Sequence, residues 1–221
     1  MKYKKLQIKH KCLVMLATGV LSSITLVGCG NKELIDFNKN FNAIVEINDE
    51  VVSIAGIKEY ADYDGTQVQI VTDDGLRILT STHQTQLLNS NSNEELMDYV
   101  KQLTNDSENI MNYNELQGIE LSIKNSSWNK NLLDLNFSYD NAIILSDNGA
   151  TIVAIKKWRD YEDDKIQIQL EDGTYILTNA DKIKLVNTDS AQENSLENYA
   201  RSLVGNDGYV NQNSKELVKT K

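Results

Sequence analysis

Few residues in this chain could do chemistry. Its two histidines are His10 and His83, and its two cysteines are Cys12 and Cys29. His83 stands beside Thr82 and two residues after Ser81, so a Ser-His-Asp relay could in principle be assembled there. Neighbours along one strand or loop seldom reach triad geometry, and no Gly-x-Ser-x-Gly elbow is present. A zinc site needs several His or Cys ligands, which the chain does not supply. Neither a Gly-rich phosphate loop nor a dinucleotide fingerprint occurs. Asp160, Glu162, Asp163 and Asp164 crowd into one acidic turn, and hard carboxylate oxygens suit calcium. The glycine that a calcium loop needs at its sixth position is missing, so a solvated acidic turn is the simpler reading. The expectation is no cofactor and no catalytic set.

The more suggestive residues are aromatic. Tyr60 and Tyr63 alternate with Asp62 and Asp64, and Trp158 and Tyr161 stand beside Asp160 and Glu162. Aromatic rings with polar neighbours are what an interface hot spot uses. They also plug the end of a small β core, with the polar tip in water. Tyr60, Tyr63, Trp158 and Tyr161 form the candidate binding face, with core packing as its competitor.

These residues fall at matched positions of a repeat. Residues 54–80 recur without a gap as residues 152–178, and 12 of the 27 aligned positions are identical. The 98-residue offset also pairs Asn31, Lys32 and Leu34 with Asn129, Lys130 and Leu132, and Leu87 and Asn89 with Leu185 and Asn187. It then becomes 100, pairing Leu96, Tyr99 and Leu103 with Leu196, Tyr199 and Leu203. A duplicated domain is expected. His83 corresponds to Asp181, so the scaffold does not require a histidine there. Tyr175 corresponds to Arg77 and is open to the same two readings as the other aromatics.

Within a unit the period changes from two to helical. Val68 and Ile70 alternate with Gln67 and Gln69, the mark of a half-buried strand. Asp73-Asp74-Gly75 and Asp172-Gly173 read as hairpin turns. Strands are expected at 41–47, 51–60, 67–71, 76–80 and 85–88. Ser92 and Glu95 form a capping box before Leu96, Tyr99, Val100 and Leu103, which share one helical face. The second unit should end likewise in a helix over 195–203. An extra strand is expected where Ile119, Leu121 and Ile123 alternate. The fold class is mainly β (α+β), as two tandem SH3-like-barrel or bent-sheet repeats, each followed by a short helix. Closure of such a sheet would hide its edges.

The first 28 residues read as a targeting segment. Lys2, Lys4, Lys5, Lys9 and Lys11 precede a nearly unbroken apolar run over 12–27, shorter than the ~20 residues of a spanning helix. The run ends in Leu26-Val27-Gly28-Cys29. This resembles a bacterial lipoprotein signal with its lipobox. The resemblance implies cleavage before Cys29, a diacylglyceryl group on its thiol, and a place on the extracytoplasmic face of the cell membrane. Two acyl chains at about 0.8 kcal/mol per buried methylene would make a stable anchor. The domain expectation is then signal 1–28, lipidated tether 29–40, repeat 41–104, connector 105–128, repeat 129–204 and a flexible tail 205–221.

Loss of the signal would remove five lysines and no acid, leaving 17 basic residues against 32 acidic ones. That balance argues against a nucleic-acid partner. Both cysteines would be accounted for, so packing alone must hold the fold. The series Trp158-Arg159-Asp160-Tyr161, Ile166-Gln167-Ile168 and Tyr175-Ile176-Leu177 resembles small β-rich domains of Firmicutes and of their phages and mobile elements. That resemblance carries no activity and implies only a prophage or mobile-element origin. The functional expectation is a membrane-anchored binding module for an envelope or surface macromolecule, not an enzyme. A carboxylate-dependent envelope hydrolase and a solute-binding lipoprotein are the alternatives.

Overall fold

The structure, a computed structural model, describes residues 41–48, 50–64, 66–104, 109–121, 138–161 and 164–212, with side chains 62–64 outside that description. Cys29 and its apolar run, the tether, the stretch 129–137 and the end of the tail lie outside the described residues. The fold is mainly β. The chain begins with β1 (Ala43–Asn48), β2 (Val51–Asp64), β3 (Gln67–Thr72), β4 (Arg77–Ser81), a 3-10 turn (Thr82–Gln84) and β5 (Thr85–Leu88). Helix α1 (Asn93–Leu103), β6 (Ile110–Asn112) and the short helix α2 (Tyr113–Leu116) connect to a second series. This comprises β7 (Asn141–Ser146), β8 (Gly149–Tyr161), β9 (Lys165–Leu170), β10 (Tyr175–Asn179), a 3-10 turn (Ala180–Lys182) and β11 (Ile183–Asn187). Helix α3 (Ser195–Val204) and β12 (Tyr209–Gln212) complete it.

Local chemistry explains most of these boundaries. Gly75 takes φ +94° between β3 and β4, a conformation that a side chain disfavours. Ser92 Oγ accepts the Glu95 N–H at 3.1 Å, as the capping box requires. The Glu95 carboxylate reaches back to the Asn91 N–H at 3.2 Å, one residue before the cap.

Among the described residues the strands form one ladder in the order β10-β9-β8-β7-β11-β4-β3-β2-β1-β5, antiparallel throughout, with β6 and β12 added in parallel to β2 and β8. Both long strands change partners partway. The β2–β3 register shifts between Ile57 and Glu59, and the β8–β9 register between Ile155 and Lys157. Such bulges bend a strand so that its two ends serve different parts of the sheet.

The ladder does not close, contrary to the expectation of hidden edges. In the first half β4 pairs not with β5 but with β11 of the second half. Leu185 lies opposite Leu79, and Val186 opposite Ile78, all four fully buried. Each such side chain contributes roughly 1.5–3 kcal/mol by leaving water. The core crosses this joint. Ile44, Ile70 and Ile78 pack in one cluster with Ile143, Ile152, Val186 and Tyr199, while Leu79 joins the cluster of Val153, Ile168 and Leu185. Leu96 and Val100 of α1 cover a third cluster with Val45, Val52 and Ile54.

Two further expectations are corrected. Among the described connector residues the strand is β6, because Ile110–Asn112 finds an edge beside Val52–Ile54, while 119–121 is irregular with Leu121 buried and Ile123 lies outside the described residues. The start of the tail is not frayed: β12 pairs with β8, and Gly149 admits the close approach of Tyr209, whose carbonyl oxygen would stand 2.5 Å from a Cβ there. Among the described residues no helix is long and apolar enough to cross a membrane.

Candidate interaction face

The predicted aromatic face divides into separate surroundings. Tyr60 is half-buried and meets Phe41 edge-to-face at 5.1 Å. Trp158 is half-buried and meets Tyr139 at 5.5 Å in the same geometry. Both rings pack against core clusters, so for them the core reading holds. Tyr161 is 45% exposed, with the Arg159 guanidinium 5.3 Å from its ring centre. The Tyr63 side chain lies outside the described residues, as do Glu162 and Asp163. Of the acidic turn, Asp160 is exposed and accepts a hydrogen bond from Gln67 Nε2 at 3.0 Å, and Asp164 adopts φ +55°. Among the described residues no cluster of His, Cys, Asp or Glu could hold a metal.

His83 is exposed at the 3-10 turn, with Nδ1 3.2 Å from Ser81 Oγ. The same oxygen accepts the His83 backbone N–H at 3.3 Å, which makes Ser81 the cap of that turn. The buried Ser195 hydroxyl donates to Asp74, a pairing that resembles a nucleophile and its base. Thr72, Tyr113 and Gln117 donate to Asp74 as well. Burial acts to raise the Asp74 pKa, but the hydrogen bonds from Ser195, Thr72, Tyr113 and Gln117 outweigh it and hold it below the ordinary carboxylate range. A carboxylate so saturated is a clasp between β3–β4, α2 and α3. A hydrolase acid would need the opposite shift.

The residues gathered on one exposed surface are different ones. Cross-strand register places Lys157, Gln169 and Tyr175 in one row, Arg159, Gln167 and Leu177 in the next, and Tyr161, Lys165 and Asn179 in a third. Side chains alternate across a strand, so these rows share a face, while Ile166, Ile168 and Trp158 turn inward. Tyr175 is 63% exposed and Leu177 49%. Arg159 Nε donates to Gln167 Oε1 at 2.7 Å, which fixes the guanidinium over the sheet. A shallow groove of about 440 Å³ lies among Lys157, Arg159, Gln167, Gln169 and Tyr175. The face thus joins apolar rings to three cations in an otherwise acidic chain, and it can hold a partner by apolar burial with charge steering.

Sequence reasoning took Tyr161 and weighed Tyr175, but missed Leu177, Lys157 and Arg159. The signal was available in the alternation of β8 and β10. The corresponding strand of the first half conceals it, because there the face is covered. Gln67 and Gln69, read as a solvent face, are both buried. Gln69 Nε2 donates to Tyr139 Oη at 2.6 Å, and Gln67 to Asp160, so the second half lies over β3. A second cleft, of about 650 Å³, is polar and lies among Glu50, Asp147, Asp207 and Lys182. Compared with known proteins, the chain matches no family model and no curated protein.

Proposed function

We propose that this protein is an extracytoplasmic lipoprotein, anchored through Cys29, that binds a macromolecule of the envelope or cell surface and performs no catalysis. The observation that carries the binding reading is the exposed face of β8, β9 and β10, where Tyr161, Tyr175 and Leu177 stand beside Lys157 and Arg159. The anchor rests on the order of the basic segment, the apolar run and Leu26-Val27-Gly28-Cys29. The matched residues support a duplicated bent-sheet unit: β3, β4 and the first 3-10 turn begin 98 residues before β9, β10 and the second. A prophage or mobile-element origin belongs to the same reading.

The test uses the full-length chain, tagged and produced in a bacterial host. Palmitate labelling that disappears in Cys29→Ser is expected. From a detergent extract of the envelope, one reproducible partner should be captured and lost in Tyr175→Ala/Leu177→Ala. Unlabelled wild-type protein would overturn the anchor. Capture of the same partner by the double variant would overturn the face.

A further inference from the structure

The two halves meet through β11 and β4, with Leu185 opposite Leu79, Val186 opposite Ile78 and Asn187 opposite Arg77. The positions 98 residues from Leu185, Val186, Ile78 and Leu79 are Leu87 and Leu88 on β5 and Ile176 and Leu177 on β10, the two strands that end the ladder among the described residues. We propose that the β5 edge of one molecule pairs antiparallel with the β10 edge of a second copy, in the register Leu87 to Leu177 and Leu88 to Ile176. Molecules thereby join by the pairing that already joins the halves. This deepens the binding reading above, since it names a second copy as an occupant of the same face.

Burial on the two sides of the correspondence supports it. At the internal joint Leu79 is fully buried, whereas its counterpart Leu177 is 49% exposed. Tyr199 and Leu203 of α3 are 0% and 1% exposed, whereas their counterparts Tyr99 and Leu103 of α1 are each 37% exposed. Beyond Tyr161 and Tyr209, the large apolar residues exposed among the described ones are Tyr99, Leu103, Tyr175 and Leu177. All four occupy joint positions of the repeat. Strand β3, covered by the second half, is buried along its whole length, while the matching β9 is only half-covered at alternate residues.

The edges that end the ladder among the described residues have the chemistry of paired ones. Natural edge strands are blunted by charge, proline or bulges. β5 reads TQLL and β10 reads YILTN, with neither charge nor proline. Across the internal joint Lys184 Nζ donates to Thr80 Oγ1 at 2.7 Å. Their counterparts are Gln86 and Thr178, again an N–H donor and a hydroxyl. Because the two edges differ, the contact is head to tail and each added copy offers a fresh edge, so the assembly grows into a file or closes as a ring.

Two variants separate this from other associations. Leu177→Glu alters the β10 edge and Gln86→Glu the β5 edge, both at positions with solvent access in the single molecule. The full-length chain, in a non-ionic detergent, is followed by sedimentation velocity over a range of concentrations. Wild type should grow past the dimer as concentration rises. Each variant alone should lose self-association by about 100-fold, because a carboxylate would be taken out of water with no cation to pair it; at Gln86→Glu only the Tyr99 hydroxyl, 2.6 Å from Gln86 Oε1, would reach it. Mixed, they should give dimers and nothing larger, since one intact edge of each kind remains. As a second measurement, Leu87→Cys should oxidise to Leu177→Cys of another molecule in preference to Tyr175→Cys. A monomeric wild type, a variant that still self-associates while folded by circular dichroism, or cross-linking in another register would overturn the proposal. A monomeric wild type that still captures an envelope partner overturns self-pairing alone. One that captures nothing overturns the binding reading as well.

Discussion

Lys184 Nζ lies 2.9 Å from Glu46 Oε1, and both side chains are sealed from solvent. The pair links β11 to β1 across the joint between the halves. Thr80 donates to the same carboxylate at 2.9 Å, and Tyr199 donates to its other oxygen. Every partner of Glu46 named here comes from another strand or helix, so the network closes only when both halves are folded together. A buried ion pair is not by itself a large source of stability, but breaking one leaves a charge in a dry place.

Lys184→Met should therefore destabilise the protein by about 3–5 kcal/mol in denaturant unfolding. Glu46→Leu/Lys184→Met should recover much of that loss. A double variant as unstable as the sum of the single ones would contradict this coupling.

Acid sensitivity should trace to Asp74. Its folded pKa is lowered, so its contribution is present above the ordinary carboxylate value and is lost as pH falls through the folded one. Melting temperature should drop below about pH 4. Asp74→Asn should be less stable at neutral pH and show a shallower acid limb, read from thermal melts between neutral and acid pH.

Alkaline sensitivity should trace to two tyrosines. Burial, then the Asp74 carboxylate, pushes the Tyr113 hydroxyl up; burial and Glu46 do the same for Tyr199. Folding thus favours their protonated forms, fully below about pH 10, and that contribution fades as pH rises toward the folded values. Tyr199→Phe should weaken the fold at neutral pH and flatten the alkaline decline.

The glycines of the two matched hairpins should behave differently. At Gly75, φ is +94° and a Cβ would stand 2.3 Å from the Ser190 carbonyl oxygen. At Gly173, φ is +89° and nothing lies within 4 Å of the added carbon. Gly173→Ala should cost about 1–2 kcal/mol of backbone strain, and Gly75→Ala clearly more. Equal losses would show that Ser190 moves aside freely.

Among the aromatics, Trp158→Ala should cost about 3–5 kcal/mol, since the indole packs on the second core. Tyr175→Ala, at 63% exposure, should leave stability within about 0.5 kcal/mol of wild type. Loss of binding in Tyr175→Ala is therefore interpretable, whereas loss in Trp158→Ala would be confounded by unfolding.

What the sequence made legible was local. Alternation in β3, the Asp-Gly turns, the Ser92 cap and the matched strand lengths all arise from neighbours within a few residues. The β4–β11 joint did not arise that way. Nothing in RILTS or IKLVN states which remote strand lies alongside, and no neighbour of Lys184 along the chain announces that Glu46 is brought to it. Gln67 and Gln69 were misread for the same reason, because their exposure is decided by Tyr139 and Asp160 of the other half. The aromatic site was half legible: the types pointed to a face, but only pairing showed that Trp158 turns inward while Tyr175 and Leu177 turn out.

The joint also sets how the molecule would respond to tension. Ladder hydrogen bonds run across the strands, so a pull between the β5 and β10 ends acts along them. The β4–β11 pair has three register positions, fewer than any other pair on that path. It is the link that should part first under force. The rupture would bare Ile78, Leu79, Leu185 and Val186, part Glu46 from Lys184 and open the core that spans the joint, so extension should come as one cooperative break and not strand by strand.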